Sequence, residues 1–210
     1  MRIVPLDITN RTQFDDFYAI YCVSFPLSEQ KPYEELLRMG SSSFYTIFTA
    51  QHDEKTLGFC IIFHKQTLDF YLLEYMAVDT QQRSLGVGSH LFTCACEYLV
   101  KTYGLKPFLI EIDSPEKPSN EQDIREKREQ FYRKLGCKKI DPFDYILPLN
   151  TQESPPPMEL LVYHPSLNSI SKQHLSLWLE ALYTHVYGCD KNDIRLATML
   201  EHAPPTLNLI

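Results

Sequence analysis

The stretch Tyr75-Met-Ala-Val-Asp-Thr-Gln-Gln-Arg-Ser-Leu-Gly-Val-Gly-Ser-His-Leu91 constrains the fold more than any other part of this chain. An apolar strand gives way to a short polar turn, then to Arg83-Ser-Leu-Gly86-Val-Gly88, then to an amphipathic helix. That order sets a row of backbone N–H groups at a helix N-terminus. There the unpaired donors and the partial positive charge of the helix favour a phosphate. A Gly-x-Gly at a helix start also serves a tight turn or close packing. The nucleotide versions of such a loop fit poorly. The chain has no Gly-x-x-x-x-Gly-Lys-Ser/Thr, and the third glycine of a dinucleotide fingerprint is missing.

The flanking patterns supply the elements. Residues 2–7 predict a short strand. Asn10-Arg-Thr offers helix caps before Phe14, Phe17, Ile20 and Tyr21, which fall at helical spacing. Phe25-Pro26 breaks that helix, and Ser28–Met39 reads as a second. Phe44–Gln51, Thr56–Lys65 and Leu68–Val78 read as three strands, and the short polar turns between them predict an antiparallel meander. From Ser89 to Tyr103, Leu91, Phe92, Ala95 and Leu99 mark one face of a helix that Gly104 closes. Pro107–Asp113 is a further strand. A helix between it and Leu68–Val78 predicts that the two are parallel neighbours.

A charged segment follows, with helix formers from Glu121 to Gly136. Asp144–Leu149 and Met158–His164 then predict a closing hairpin around Pro155-Pro156-Pro157. Beyond Pro165 the pattern is helical: Leu175, Trp178, Leu179, Leu182, Val186 and Tyr187 share a stripe, and a shorter helix spans Asn192–Glu201. The Trp178 stripe predicts the face that docks this tail, or else the lining of an acceptor pocket or a dimer contact. The expected class is mixed α/β (α+β), with a mostly antiparallel sheet of about six to seven strands flanked by helices. Residues 1–165 form the expected domain and 166–210 a C-terminal helical extension.

A chain of 210 residues fits one domain, or one domain with an extension. It can bury about 70% of its unfolded surface and needs no staple. A formal charge of −7 and a pI near 5.5 argue against nucleic acid as a partner. They favour a cationic or amine substrate, or serve solubility alone. The six cysteines are scattered through apolar runs without a Cys-x-x-Cys pair, as buried thiols in a reducing compartment would be. Cys94 and Cys96 project about 200° apart on a helix, too divergent to share a metal. The seven histidines show no metal-ligand spacing, so no metal is expected. The first residues lack a signal-peptide run, and no apolar stretch reaches the ~18 residues of a membrane span. The expected location is cytoplasmic, with no membrane partner.

Met76-Ala-Val78, then Arg83-x-x-Gly86-x-Gly88, then a strand and a helix ending in Tyr132-x-x-Leu-Gly136-Cys, together resemble the GNAT superfamily of acyl-CoA-dependent N-acyltransferases across residues 1–165. The resemblance implies acetyl-CoA as co-substrate. Backbone amides from Arg83, Ser84, Leu85, Gly86, Val87, Gly88 and Ser89 would wrap its pyrophosphate. Strand 72–78 would bulge and splay from its parallel neighbour 107–113, admitting the pantetheine arm. Met76, Ala77 and Val78 would supply the edge that pairs with this arm, one amide polarising the thioester carbonyl.

The resemblance also makes Tyr132 the acid that protonates the departing thiolate, a sensible role for a phenol of pKa ~10. The plainer reading is a tyrosine packed on the sheet with its hydroxyl at the rim. Glu74 is the candidate base, acting directly or through water. Strand alternation puts it on a face with Leu72, Met76 and Val78, and the plainer reading pairs it with a neighbouring lysine or arginine. Many relatives carry a cofactor-contacting asparagine seven residues before the motif tyrosine, where this chain has Arg125. Arg125 and Arg128 would bind an acidic group or form a solvated face. Cys137, after Gly136, reads as a small packing residue or a reactive thiol.

The implied reaction is acetyl transfer to a primary amine by direct attack in a ternary complex. The acceptor would be a small-molecule or peptide amine, and the protein a monomer or homodimer. Two alternatives stay open: an acyl-CoA-binding module without turnover, and a longer acyl donor.

Overall fold

Local backbone rules set most of the element boundaries in the computed structural model, which describes residues 1–53, 55–116, 119–148 and 157–210. The chain divides into two compact units, Met1–Lys106 and Pro107–Ile210. The fold class is the expected one, mixed α/β with mostly antiparallel pairing. The described residues form nine strands, above the six to seven expected, and six α-helices.

In the first unit β1 (Arg2–Pro5), β2 (Tyr45–His52), β3 (Lys55–Phe63) and β4 (Tyr71–Val78) pair antiparallel in chain order. The predicted meander is β2–β3–β4. Helix α1 (Arg11–Ser24) starts where Asn10 accepts a hydrogen bond from the Gln13 N–H. Helix α2 (Tyr33–Ser41) begins after Pro32, five residues later than expected, because a single 3-10 turn (Leu27–Glu29) takes up Ser28. Phe14, Phe17 and Tyr21 of α1 pack with Phe59 and Ile61 of β3, all fully buried. The Phe17 and Phe59 rings meet edge to face at 4.7 Å. Truncating either ring would cost about 3–5 kcal/mol. Helix α3 (Val87–Tyr103) buries the expected Leu91, Phe92, Ala95 and Leu99, together with Val87 and Cys96. Gly104, at φ 94°, ends it.

In the second unit the sheet order is β5 (Phe108–Asp113), β7 (Met158–Tyr163), β6 (Cys137–Asp141), β9 (Thr206–Leu209), β8 (Ser169–Ser171), all antiparallel. Helix α4 (Gln122–Lys134) ends at the expected place, with Gly136 at φ 91°. The partner of β7 differs from the predicted hairpin. On the side away from β5 it is Cys137–Asp141, and among the described residues of the expected strand 144–149 only Tyr145 makes a bridge, to Met158. Pro142 explains part of this, since it follows β6 directly and cannot donate to a ladder. Residues 149–156, including most of the predicted proline turn, lie outside the described residues.

The tail carries both expected helices, α5 (Lys172–His185) and α6 (Ile194–Glu201), and two short strands besides. Through β9 it pairs with β6. Leu175, Trp178, Leu179 and Leu182 are buried, so the Trp178 stripe is a packing face. Among the described residues no helix is long and apolar enough to cross a membrane.

Candidate active site

The turn before α3 has the geometry of an anion receptor. The Asp79 carboxylate accepts the Gln81 N–H and caps a 3-10 turn over Thr80–Gln82. The chain then passes through left-handed backbone at Ser84 (φ 65°) and Gly86 (φ 80°). Gly86 adopts this at no steric cost, whereas Ser84 carries a side chain in a region L-residues avoid. The first helical bond runs from His90 N–H to the Gly86 carbonyl at 3.1 Å. The N–H groups of Val87, Gly88 and Ser89 therefore precede the intrahelical ladder. Arg83, Ser84, Leu85 and Gly86 are exposed, while Val87 is buried and anchors the turn. Arg83 donates through Nε to the Val78 carbonyl at 3.3 Å, which ties the loop to the end of β4.

Strand β4 carries the bulge. Leu73 pairs with Ile62 and Tyr75 with Ile61, so Glu74 is the extra residue on the bulged strand. This corrects the expected facing of Glu74. Tyr75 and Ala77 pack on the cluster beneath α1 and α2, and Glu74 reaches Lys31 beside that cluster. Met76 and Val78, alternating with Ala77, face the opposite way. The alternation that would align Glu74 with Met76 and Val78 is interrupted at the extra residue. Its position depends on pairing with β3, which β4 alone does not reveal.

The Glu74 side chain is 5% exposed and pairs with the Lys31 ammonium at 3.1 Å. Lys31 also reaches Glu35 at 3.3 Å, and its backbone N–H donates to the Tyr21 hydroxyl at 2.8 Å. Burial raises the Glu74 carboxyl above its ordinary value, against the opposing pull of Lys31 and Tyr45. Lys31 is held above its ordinary value: desolvation works against its charge, but Glu74 and Glu35 outweigh it. One Glu74 oxygen, Oε2, is buried without a hydrogen-bond partner. The ion pair fits the plainer reading of Glu74. The raised carboxyl and its unpaired oxygen are equally what a base awaiting a proton would show.

Sequence reasoning missed Lys31 and Tyr45 as neighbours of Glu74, for both are distant in the chain. It also missed Gly58, which lies opposite Val78 on β3. A Cβ there would sit 2.8 Å from the Ala77 carbonyl oxygen and 3.2 Å from the Val78 Cα. An isolated glycine inside a strand pattern signals such close approach.

In the second unit Tyr132 lies near the end of α4, 7% exposed, its ring 5.1 Å edge to face from that of Phe131. Two of the three arginines of α4 reach the end of β5. Arg128 pairs with Asp113 at 2.6 Å, and Arg125 donates to the Ser114 carbonyl at 3.5 Å. Cys137 is buried and its thiol is pushed up to about 12 by desolvation, so it is a packing residue and not a nucleophile.

Comparison with known proteins adds to this geometry. Residues 14–137 match the model of the Acetyltransferase (GNAT) family. A structure described as an acetyltransferase of the GNAT family from Bacteroides thetaiotaomicron superposes with a TM-score of 0.73 at 21% identity, covering 90% of this chain and 100% of that one. An aminoglycoside 6'-N-acetyltransferase complexed with coenzyme A gives a TM-score of 0.63 at 17% identity, over 78% of this chain and 96% of its own. The ribosomal-protein-S18-alanine N-acetyltransferase from Escherichia coli gives 0.57 at 19%, over 79% and 94%. At these identities the likeness is one of fold. No curated protein matches the chain by sequence.

Proposed function

Because the chain belongs to the GNAT acetyltransferase family, we propose that it transfers an acetyl group from acetyl-CoA to a primary amine, by direct attack in a ternary complex. The observation that carries this reading is the turn at Ser84–Gly88. Its left-handed residues and uncovered N–H groups at the head of α3 suit a pyrophosphate. The aminoglycoside enzyme of similar fold was solved with coenzyme A, which supports the same donor. Residues 1–165 would form the catalytic domain and 166–210 its extension.

In this reading the amides from Arg83 to Ser89 hold the pyrophosphate, and Met76–Val78 pairs with the pantetheine arm. One of those amides polarises the thioester carbonyl. The neutral amine attacks that carbon, and Glu74, or a water it orients, takes the amine proton. The intermediate collapses with cleavage of the C–S bond, and Tyr132 gives its proton to the departing thiolate. Aminoglycosides and an alanine of ribosomal protein S18 are acceptors named for proteins of this fold, so small-molecule and peptide amines are both candidates here.

The test is release of free coenzyme A from acetyl-CoA across a panel of amines. Tyr132→Phe is expected to lower kcat by about 10²–10³ with little change in coenzyme A affinity. Turnover unaffected by both Tyr132→Phe and Glu74→Gln would remove the assigned roles. A panel with no turnover, despite tight coenzyme A binding, would mean a sensor module.

A further inference from the structure

Within the second unit, a cavity of about 230 Å³ opens beside the ends of β5 and β6 and the start of β7. At ~30 Å³ per water it has room for about seven waters, or for a small organic molecule. Phe143, Tyr145 and Met158 line it and are buried. Ser114, Lys139 and Glu159 form its polar wall, and Glu116 and Asp144 are exposed lining residues at its rim.

The charges of this lining are unequal. Among the described lining residues Lys139 is the single cation, and two carboxylates already engage it: Glu159 at 3.0 Å, and Glu116. Burial would lower the lysine's proton affinity, yet these two partners hold it above its ordinary value, so it stays charged and occupied. Glu159 is 2% exposed. Its Oε1 accepts the Ser114 hydroxyl at 2.9 Å as well as the Lys139 ammonium. Its Oε2 is buried with no partner, and a buried carboxylate oxygen lacking a donor is costly. Asp144 adds a third carboxylate. Among the described lining residues Glu116, Asp144 and Glu159 outnumber the single lysine, a balance that favours a cation, which would meet carboxylates and the faces of aromatic rings.

The tail holds this wall in place. The Tyr183 hydroxyl donates to the Ile146 carbonyl at 2.5 Å, and the Ile146 N–H donates to the Met199 sulfur at 3.2 Å. The Tyr145 hydroxyl donates to Glu111, which leaves its ring as cavity wall. Both sides of the loop residue Ile146 are thus gripped by α5 and α6, which holds this part of the lining before any ligand arrives.

We propose that this cavity is a binding site for a small alkylammonium cation, anchored by Glu159 and Asp144 against the rings of Phe143 and Tyr145. The assignment rests on the second unit alone and stands whether or not the acetyl-transfer reading holds. Titration calorimetry of the full chain with 1,5-diaminopentane, using 1-pentanol as the neutral counterpart, tests it directly. The diamine should bind at least about tenfold more tightly than the alcohol. Asp144→Lys, an exposed substitution that spares the fold, should weaken the diamine about tenfold and leave the alcohol unchanged. Glu159→Gln should weaken it by a similar factor. Equal affinity for diamine and alcohol, no binding of the diamine at all, or wild-type titrations in Asp144→Lys would each overturn the assignment.

Discussion

The turn at Ser84–Gly88 and the bulge at Glu74 lie a few residues apart in the chain and treat polar groups in opposite ways. At the turn, the N–H groups of Val87, Gly88 and Ser89 stand ahead of the helical ladder beside the exposed Arg83–Gly86 segment, and two left-handed positions hold the backbone in a curve. At the bulge, a carboxylate is drawn inside and matched by Lys31, with one oxygen left bare. A receptor made of backbone depends on shape and barely on pH. A buried carboxylate depends on its neighbours, and its charge changes with them. The same short region can therefore hold a fixed anion site beside a titratable group.

Gly86→Val should produce the largest effect. A β-branched residue at φ 80° strains the turn by about 1–2 kcal/mol, and coenzyme A affinity should fall at least about tenfold in calorimetry. Glu74 chemistry should survive: at saturating donor, the pH dependence of turnover should match wild type. Gly58→Val should come next. The added side chain meets the Ala77 carbonyl and must push β4 away, at about 1–3 kcal/mol by denaturant unfolding. Because it displaces Ala77 and Val78, it should weaken donor binding and change turnover together.

Lys31→Met separates the two regions most cleanly. The Lys31 cation lowers the Glu74 carboxyl, so its loss should raise that carboxyl further. The acidic limb of the kcat profile should move to higher pH, with coenzyme A affinity unchanged. The stability sign follows from the same shift. A carboxyl raised in the folded state binds more protons there than in the unfolded chain. Its stabilising contribution is complete below the ordinary value of 4.5 and is lost as pH rises through the raised value. Glu74→Gln should flatten that loss in thermal unfolding measured across pH. The smallest effect is expected from Ser84→Gly, which relieves left-handed strain but loosens the unfolded chain. A net gain of about 0.5 kcal/mol in unfolding should come with donor affinity within twofold of wild type.

What the sequence made legible were the features governed by local rules. Asn10 caps α1, Gly86 and Gly104 bound α3, Gly136 follows α4, and the apolar spacing of Leu91, Phe92, Ala95 and Leu99 marks the buried face. Features that depend on a distant partner were not legible. Strand β6 reads Cys-Lys-Lys-Ile-Asp, and Lys139 is buried only because Glu116 and Glu159 neutralise it. Strand β8 has three residues and β9 four, too short for a pattern, and each forms by pairing far along the chain. The bulge is of the same kind. Glu74 stood out as the lone charge in an apolar strand, but only pairing with Ile61 and Ile62 turns it toward Lys31.

The most direct measurement is calorimetric titration of the wild-type chain with coenzyme A and with pantetheine, which lacks the pyrophosphate. If the turn at Ser84–Gly88 anchors the donor through its phosphates, coenzyme A should bind at least about a hundredfold more tightly than pantetheine, and Gly86→Val should erase most of that difference. Equal binding of the two compounds, or a preference for coenzyme A that survives Gly86→Val intact, would contradict it.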